Sequence, residues 1–118
     1  MHFKFNNEKP IYLQMIEQLE LDIVSGRLPP GSQLPTIREL ASQAKININT
    51  VARALAELEE LNLITTKRTN GKFVTNNQKR IIKCREKLAE TTTHEYLKTM
   101  QSLGFNTKEL LKYLKERS

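Results

Sequence analysis

Apolar residues recur along the start of the chain at the spacing of one helix face. They predict a first helix that begins at Pro10 and ends before Gly26, because proline suits the first helical position and glycine the residue after the last. The turn-forming run Leu-Pro-Pro-Gly-Ser at 28–32 then forces a loop. The apolar face of this helix consists of Tyr12, Met15, Ile16, Leu19 and Ile23.

Two further helices are predicted after the loop. The first covers about 36–43, where Thr36 and Glu39 have the spacing of a capping box. The second begins after Asn47, whose side chain is expected to accept a hydrogen bond from the Thr50 amide. Short helices joined by a tight break, here at 44–46, are typical of a helix-turn-helix. The residues expected to face inward are Ile37, Leu40, Ala41, Val51, Ala54, Leu55, Leu58 and Leu61.

A β-hairpin is predicted next. The β-branched run 63–67, the turn pair Asn70-Gly71 and the returning run 73–75 give its two strands and its turn. An isolated hairpin is marginally stable in water, so this one is expected to pack on the helices.

The remainder of the chain predicts helices. Residues 77–103 suggest one long helix or two shorter ones, with a kink at the threonines 91–93, and Gly104 ends this segment. Asn106 or Thr107 is expected to cap a last helix. The pattern therefore predicts an α+β, mainly helical fold. A winged helix-turn-helix covers residues 1–76, and a short C-terminal helical dimerisation tail covers 77–118.

The positive charge is concentrated in the second half of the chain. Residues 1–66 carry six Lys/Arg and eight Asp/Glu, a net charge of −2, whereas residues 67–118 carry thirteen and five, a net charge of +8. In the stretch 67–87, Glu86 is the only acid. Such a stretch would attract a polyanion such as nucleic acid. Charge alone fits a solvated, lysine-rich helix slightly better.

Several classes of function are disfavoured. No apolar run is long enough to cross a bilayer, and residues 1–5 lack the layout of a secretory signal, so we expect a cytoplasmic protein without a membrane partner. The single cysteine, Cys84, fits a reducing compartment, although its basic neighbours leave a redox role open. His2 and His94 are far apart and predict no metal site. No catalytic constellation or phosphate loop stands out, so we expect neither an enzyme nor a cofactor.

The start of the third helix supplies candidate contacts to DNA, because the second helix of a helix-turn-helix can enter the major groove with its N-terminal residues at base edges. Asparagine can bind adenine there, arginine can bind guanine or a phosphate, and an exposed Ile48 could touch a thymine methyl. The hairpin would be the wing, and its basic tip at 68–72 includes Gly71, which permits close approach to DNA. Phosphate contacts are expected from Lys67, Arg68 and Lys72, with Lys79 and Arg80 as further candidates.

Three motifs resemble one family of bacterial regulators. The run GRLPPGSQLPTIRELA at 26–41 resembles the hallmark of the GntR family. The run ININTVARA at 46–54 is similar to V-N-P-N-T-V-x-R-A of its YtrA subfamily, and P-I-Y-x-Q at 10–14 also matches. The resemblance is close over 9–76. The chain differs from the usual motifs at Ile37, at Ile48 in place of proline, and at 69–72 in place of a Gly-x-Gly-Thr wing.

This resemblance implies a winged-helix fold, homodimers and palindromic operators, with DNA contacts from both helices of the motif and from the wing. The full set of predicted DNA-binding residues is Thr36, Arg38, Asn47, Ile48, Asn49, Thr50, Arg53, Lys67, Arg68, Asn70, Gly71 and Lys72. The predicted dimerisation residues are Ile81, Leu88, Tyr96, Leu97, Met100, Leu103, Leu110 and Leu114.

Three functions remain as hypotheses at this point. The first is a transcription regulator, expected to be a repressor, that binds double-stranded DNA as a homodimer. The second is a winged-helix protein-interaction module without DNA binding. The third is the regulatory fragment of an enzyme, because some relatives fuse this domain to an aminotransferase-like domain. The sequence leaves the operator, the controlled genes and any small-molecule effector open.

Overall fold

The computed structural model of the chain describes residues 1–68 and 71–118, and it confirms the predicted α+β, mainly helical class. The chain forms two compact units, residues 1–84 and 85–118. In chain order the elements are α1 (Ile11–Val24), α2 (Ile37–Ala44), α3 (Ile48–Glu60), β1 (Ile64–Lys67), β2 (Gly71–Val74), α4 (Gln78–Ser102) and α5 (Thr107–Arg117).

The end of α1 follows the sequence signal, whereas its start lies one residue later than predicted. Pro10 occupies the N-cap position and the helix begins at Ile11, and the Ser25 N–H donates to the Leu21 carbonyl at 3.0 Å. Gly26 follows with a φ of +85°, a left-handed conformation that glycine adopts without a Cβ clash. The chain reverses there, and the Leu28 N–H donates back to the Asp22 carbonyl at 2.9 Å.

The two helices of the motif are capped by side chains. The Thr36–Glu39 capping box forms as predicted at the start of α2. The Asn47 side chain caps α3, but it accepts from the Asn49 N–H at 2.7 Å rather than from Thr50, so that prediction was wrong by one residue. The Thr50 N–H instead donates to the Asn47 backbone carbonyl at 3.1 Å. The Asn49 N–H is the one that faces the side-chain oxygen. Between the helices, Lys45 has a φ of +56° and ends α2.

The core lies between the first three helices and the hairpin, and hydrophobic burial there holds the unit together. Three residues predicted to face inward are not part of it. Tyr12 and Ile37 are half-buried. Leu61, the C-cap of α3, is 40% exposed because it lies beyond the last turn of the helix. Its carbonyl accepts a hydrogen bond from the Arg80 Nε at 2.7 Å. The largest fully buried side chains are Met15, Leu19, Ile23, Leu40, Val51, Leu55, Leu58, Leu63, Ile64 and Val74.

The hairpin forms in the predicted place, with β1 and β2 antiparallel and Ile64 opposite Val74. The loop before α2 pairs with the other edge of β2. The Leu34 N–H donates to the Lys72 carbonyl at 2.8 Å, and the Val74 N–H donates to the Ser32 carbonyl at 2.9 Å. The wing is therefore attached on both sides, to β1 and to the segment that leads into α2.

The second unit contains the end of α4 and all of α5. α4 continues as a helix through the threonines 91–93, so the structure has one long helix at this place. Gly104 ends the segment with a φ of +95°, and Asn106 caps α5 through a second capping box with Glu109. Within the described part of the chain, no helix combines the length and the apolar character that a membrane span requires.

Candidate nucleic-acid interface

The N-terminal half of α3 has one side open to solvent. Val51, Ala54, Leu55 and Leu58 face the core, so the residues on the other side of the helix face solvent. Asn49 and Arg53 lie one turn apart on that side, and both are exposed. Ile48 is 46% exposed, and Thr50 is half-buried. The predicted leading edge of the recognition helix is therefore open to a ligand.

Arg53 does not extend freely into solvent. Its Cζ atom lies 3.6 Å from the centroid of the Tyr12 ring, so the guanidinium is stacked on an aromatic face contributed by the first turn of α1. A cation over an aromatic face is attracted by the negative π-cloud. The contact joins the exposed face of α3 to the start of α1.

A groove of about 380 Å³ runs between the wing and the start of α2. Leu34, Pro35 and Ile37 line one wall, whereas Thr66 and Gly71 belong to the wing. Arg38 and Lys72 add positive charge to its lining. The pairing of residues 32–34 with β2 fixes the separation of the two walls.

Thr36 and Arg38 lie at the entrance to α2. The Thr36 N–H donates to the Glu39 carboxylate at 3.0 Å, and the Glu39 N–H donates to the Thr36 hydroxyl at 3.1 Å. The pKa of Glu39 is lowered because its carboxylate accepts hydrogen bonds from the Thr36 backbone N–H and, as the smaller cause, from the Thr36 hydroxyl. Arg38 is exposed, and it forms no ion pair within residues 1–68 and 71–118. The acid at the helix start is thus held by the cap, and Arg38 remains available.

The wing presents two cations on its first strand and the residue after it. The Lys67 Nζ lies 4.5 Å from the centroid of the Phe73 ring on the paired strand, and Arg68 is exposed. Gly71 has a φ of +89°, and a Cβ atom there would come within 3.2 Å of the Gln33 Nε2, so the turn and the loop both favour glycine. Asn70, also predicted to contact DNA, lies outside the described residues.

Lys72 points toward α3. Its ammonium donates to the Glu59 carboxylate at 2.8 Å and to the Thr66 hydroxyl at 3.0 Å, and Thr66 donates to the same carboxylate. Only 22% of the Lys72 side chain and 32% of the Glu59 side chain are exposed. This cluster ties both strands of the wing to the C-terminal half of α3, so Lys72 could reach a phosphate only by sharing or leaving its ion pair.

Cys84 is the single cysteine of the chain, and His, Cys, Asp and Glu are its potential metal ligands. Within the part of the chain that the structure describes, no three His, Cys, Asp or Glu side chains come close enough together to hold a metal ion. Cys84 is buried in the first unit, where its thiol lies 3.6 Å from a Glu20 carboxylate oxygen.

Comparison with known proteins places this arrangement in a family. Residues 11–74, which contain α1, the helix-turn-helix and the hairpin, match the bacterial regulatory proteins of the gntR family. The chain belongs to the GntR family. It is 35% identical over 115 residues to the uncharacterised HTH-type transcriptional regulator YhcF of Bacillus subtilis, which covers 98% of this chain and 95% of YhcF. It is 41% identical over 70 residues to the HTH-type transcriptional repressor YtrA of the same organism, which covers 59% of this chain and 54% of YtrA. The YtrA-like resemblance is thereby confirmed.

Solved structures support the same assignment. A GntR family transcriptional regulator from Listeria monocytogenes superimposes with a TM-score of 0.89 at 35% identity and covers 95% of this chain and 98% of its own. The DNA-binding domain of AraR in complex with operator ORX1 superimposes with a TM-score of 0.58 at 26% identity and covers 64% of this chain and 99% of its own. This GntR chain is therefore a winged-helix transcriptional regulator, and its matched part corresponds to a domain that has been seen on DNA in AraR.

Two side chains that contact predicted DNA-binding residues of this GntR domain were missed by sequence reasoning. Tyr12 was assigned to the apolar face of α1 and to a family motif without any contact to Arg53, and Glu59 was not singled out at all. Neither position carries a local signal, because each acts on a residue from a separate segment of the chain. An aromatic residue in the first turn of α1, together with an arginine on the exposed face of α3, is the pattern that could have indicated the first of these contacts.

Proposed function

We propose that this protein is a sequence-specific repressor that binds double-stranded DNA as a homodimer on palindromic operators. The observation that carries the proposal is the open leading edge of α3, where Ile48, Asn49 and Arg53 are exposed in the same unit as a basic wing. An α-helix fits the major groove, and asparagine and arginine are the side chains that pair best with adenine and guanine edges. The repressor function named for YtrA supports the sign of regulation.

The groove between α2 and the wing suits a sugar-phosphate strand. With α3 in the major groove, the strand that separates it from the adjacent minor groove would pass between the start of α2 and the wing. Arg38 on one side and Lys67 and Arg68 on the other would contact its phosphates, and the apolar walls would pack on the sugars. Gly71 would let the wing backbone approach closely.

Each of the remaining predicted contacts has a defined place in this arrangement. Thr36 would lie next to the DNA backbone while it caps α2, and Asn47 would lie next to the bases while it caps α3. Thr50 would contribute from the side of α3, and Asn70 would extend the wing contacts. Lys72 would contribute charge from its position next to Glu59.

The tail, residues 77–118, is proposed to join two copies. The second unit of the chain, residues 85–118, exposes large apolar side chains, among them Leu103 at 67% and Leu111 at 62%. Tyr96, Leu97 and Leu114 are also exposed, and exposed apolar groups of this number favour a protein interface. Of the other predicted dimerisation residues, Leu88 is half-buried, whereas Ile81, Met100 and Leu110 are buried. A small domain gains stability from partner burial.

Selection of duplexes from a random library tests the proposal directly. Enrichment of a palindrome, with half-sites about one helical turn or a multiple of it apart, is expected from a two-fold dimer. Failure to bind any duplex at low salt would overturn the proposal and would favour a protein-interaction module.

Because genomic DNA is the proposed ligand, we expect the protein to act in the cytoplasm.

Sedimentation velocity tests the dimer. The 13.7 kDa chain should sediment as a species of about twice that mass. Leu103→Glu should shift it toward the monomer, whereas Gln101→Glu, at an exposed polar position two residues earlier, should not. A monomeric wild-type protein at all accessible concentrations would contradict a dimer formed without DNA.

A further inference from the structure

Arg53 holds a singular position on α3. It is the only cation of that helix, whose C-terminal half carries the three acids Glu57, Glu59 and Glu60. It lies one turn after Asn49 on the solvent-facing side. Arg53 is therefore the only side chain of α3 that can offer a positive charge to a polyanion.

An exposed arginine normally samples many rotamers, and a contact with DNA would have to restrict them. Arg53 is already restricted, because its guanidinium lies on the Tyr12 ring with Cζ at 3.6 Å from the centroid. The ring in turn is half-buried at the start of α1, the helix that packs on α3 through the core. Its position is thus fixed by the fold and not by a flexible loop.

Stacking leaves the useful atoms of the guanidinium free. The five N–H donors of arginine lie in the plane of the group and point outward, so a ring on one face does not block them. No carboxylate forms a salt bridge with Arg53 among the described residues. The donor edge is therefore held in place without being neutralised.

We propose that Tyr12 is a positioning residue that orients Arg53 for contact with DNA before DNA arrives. This inference rests on the proposed function, because it presupposes that Arg53 binds the duplex. Tyr12 lowers the conformational cost of that contact, since the restriction of Arg53 is already present in the free protein. The stacked pair also favours one direction of approach, which makes Tyr12 a determinant of specificity as well as of affinity.

A double-mutant cycle with selected operator DNA tests the proposal. Tyr12→Leu should weaken binding about 5- to 30-fold for a dimer that carries two stacked pairs, while Tyr12→Phe, which keeps the ring, should stay within about twofold. The salt dependence of Tyr12→Leu should equal that of the wild type because no charge is lost. Arg53→Met should lower the salt slope by about 0.9 for each phosphate contact removed.

The coupling between the two positions decides the result. In the Arg53→Met background, Tyr12→Leu should change affinity by less than about twofold, because no guanidinium remains to be oriented. An equal loss in both backgrounds would overturn the proposal, since Tyr12 would then act on the fold or on DNA itself. An equal loss in Tyr12→Phe and Tyr12→Leu would overturn it too, because the hydroxyl and not the stacked face would be responsible.

A measurement without DNA separates this inference from the proposed function. The Arg53 Hε resonance of the free protein should be shifted by the Tyr12 ring current, retained in Tyr12→Phe and lost in Tyr12→Leu. A resonance at its random-coil position in the wild type would refute the stack, whatever the DNA result. Absence of wild-type DNA binding together with a shifted resonance would refute the proposed function and, with it, the positioning role. Thermal unfolding of Tyr12→Leu confirms that the variant is folded at the assay temperature.

Discussion

Arg38→Met is the substitution that examines the proposed path of the DNA strand most directly. Arg38 lines the groove between α2 and the wing, is exposed, and has no ion-pair partner among the described residues. Methionine keeps an unbranched side chain and removes the charged fork. The variant should therefore fold normally, with a change in the free energy of unfolding within about 0.5 kcal/mol, as for most surface positions.

The expected loss of binding follows from the chemistry of the contact. A hydrogen bond to a charged group contributes about 1.5–3 kcal/mol, and a dimer would lose two of them. The sum is about 3–6 kcal/mol, which corresponds to a dissociation constant roughly 10²- to 10⁴-fold higher. Loss of one phosphate contact in each protomer should also lower the slope of log affinity against log salt by about 1.8.

Fluorescence anisotropy with a labelled operator, repeated between about 50 and 200 mM salt, measures both quantities. Arg27→Met is the matched control, because Arg27 is also an exposed arginine but binds Asp22 at 3.2 Å and does not line the groove. The control should remain within about twofold of the wild type, as most surface substitutions do. Wild-type affinity and salt slope in Arg38→Met would refute the reasoning about the groove.

Four further outcomes are expected. Leu55→Ala should lower the free energy of unfolding by about 2–5 kcal/mol in urea titrations, because Leu55 is fully buried, and a smaller loss would contradict tight packing of α3. Thr36→Ala should lower the free energy of unfolding by about 1 kcal/mol, because α2 loses the side chain that caps it. Hydrogen bonds lower the pKa of Glu39 in the folded state, so Glu39→Ala should destabilise the protein above the ordinary carboxyl pKa of 4.5. The difference in free energy of unfolding between variant and wild type should fade as the pH falls through the folded pKa. A difference that persists in acid would argue against the ionised cap. A double-mutant cycle of Glu59→Gln and Lys72→Met should show a favourable coupling of about 0.5–1 kcal/mol in unfolding, and additive losses would contradict the wing cluster.

The local elements of this protein could be predicted well because their signals are local. The capping box at Thr36, the glycine after α1 and the hairpin all depend on residues within a few positions of one another. The errors were also local in scale. The Asn47 cap was displaced by one residue, and Leu61 was assigned to a face that no longer contacts the core. The choice between one long helix and two at 77–103 needed the structure.

The candidate site divides in the same way. The exposure of Asn49 and Arg53 followed from the helical period, because the apolar positions of α3 fix which side is buried. The engagement of Lys72 with Glu59 could not be read from the sequence. A lysine near a hairpin tip has the same sequence signal whether it faces a phosphate or a carboxylate of its own chain.

The sequence by itself determined the order of the elements, their ends, the mainly helical class and the side of α3 that faces outward. These properties depend on backbone conformation and on the period of apolar side chains, which neighbouring residues set together. Only the tertiary structure decided that residues 32–34 pair with β2, that Arg53 stacks on Tyr12 and that Lys72 is held by Glu59. Each of these contacts joins segments that are distant in the chain, and their geometry exists only after the core has brought those segments together.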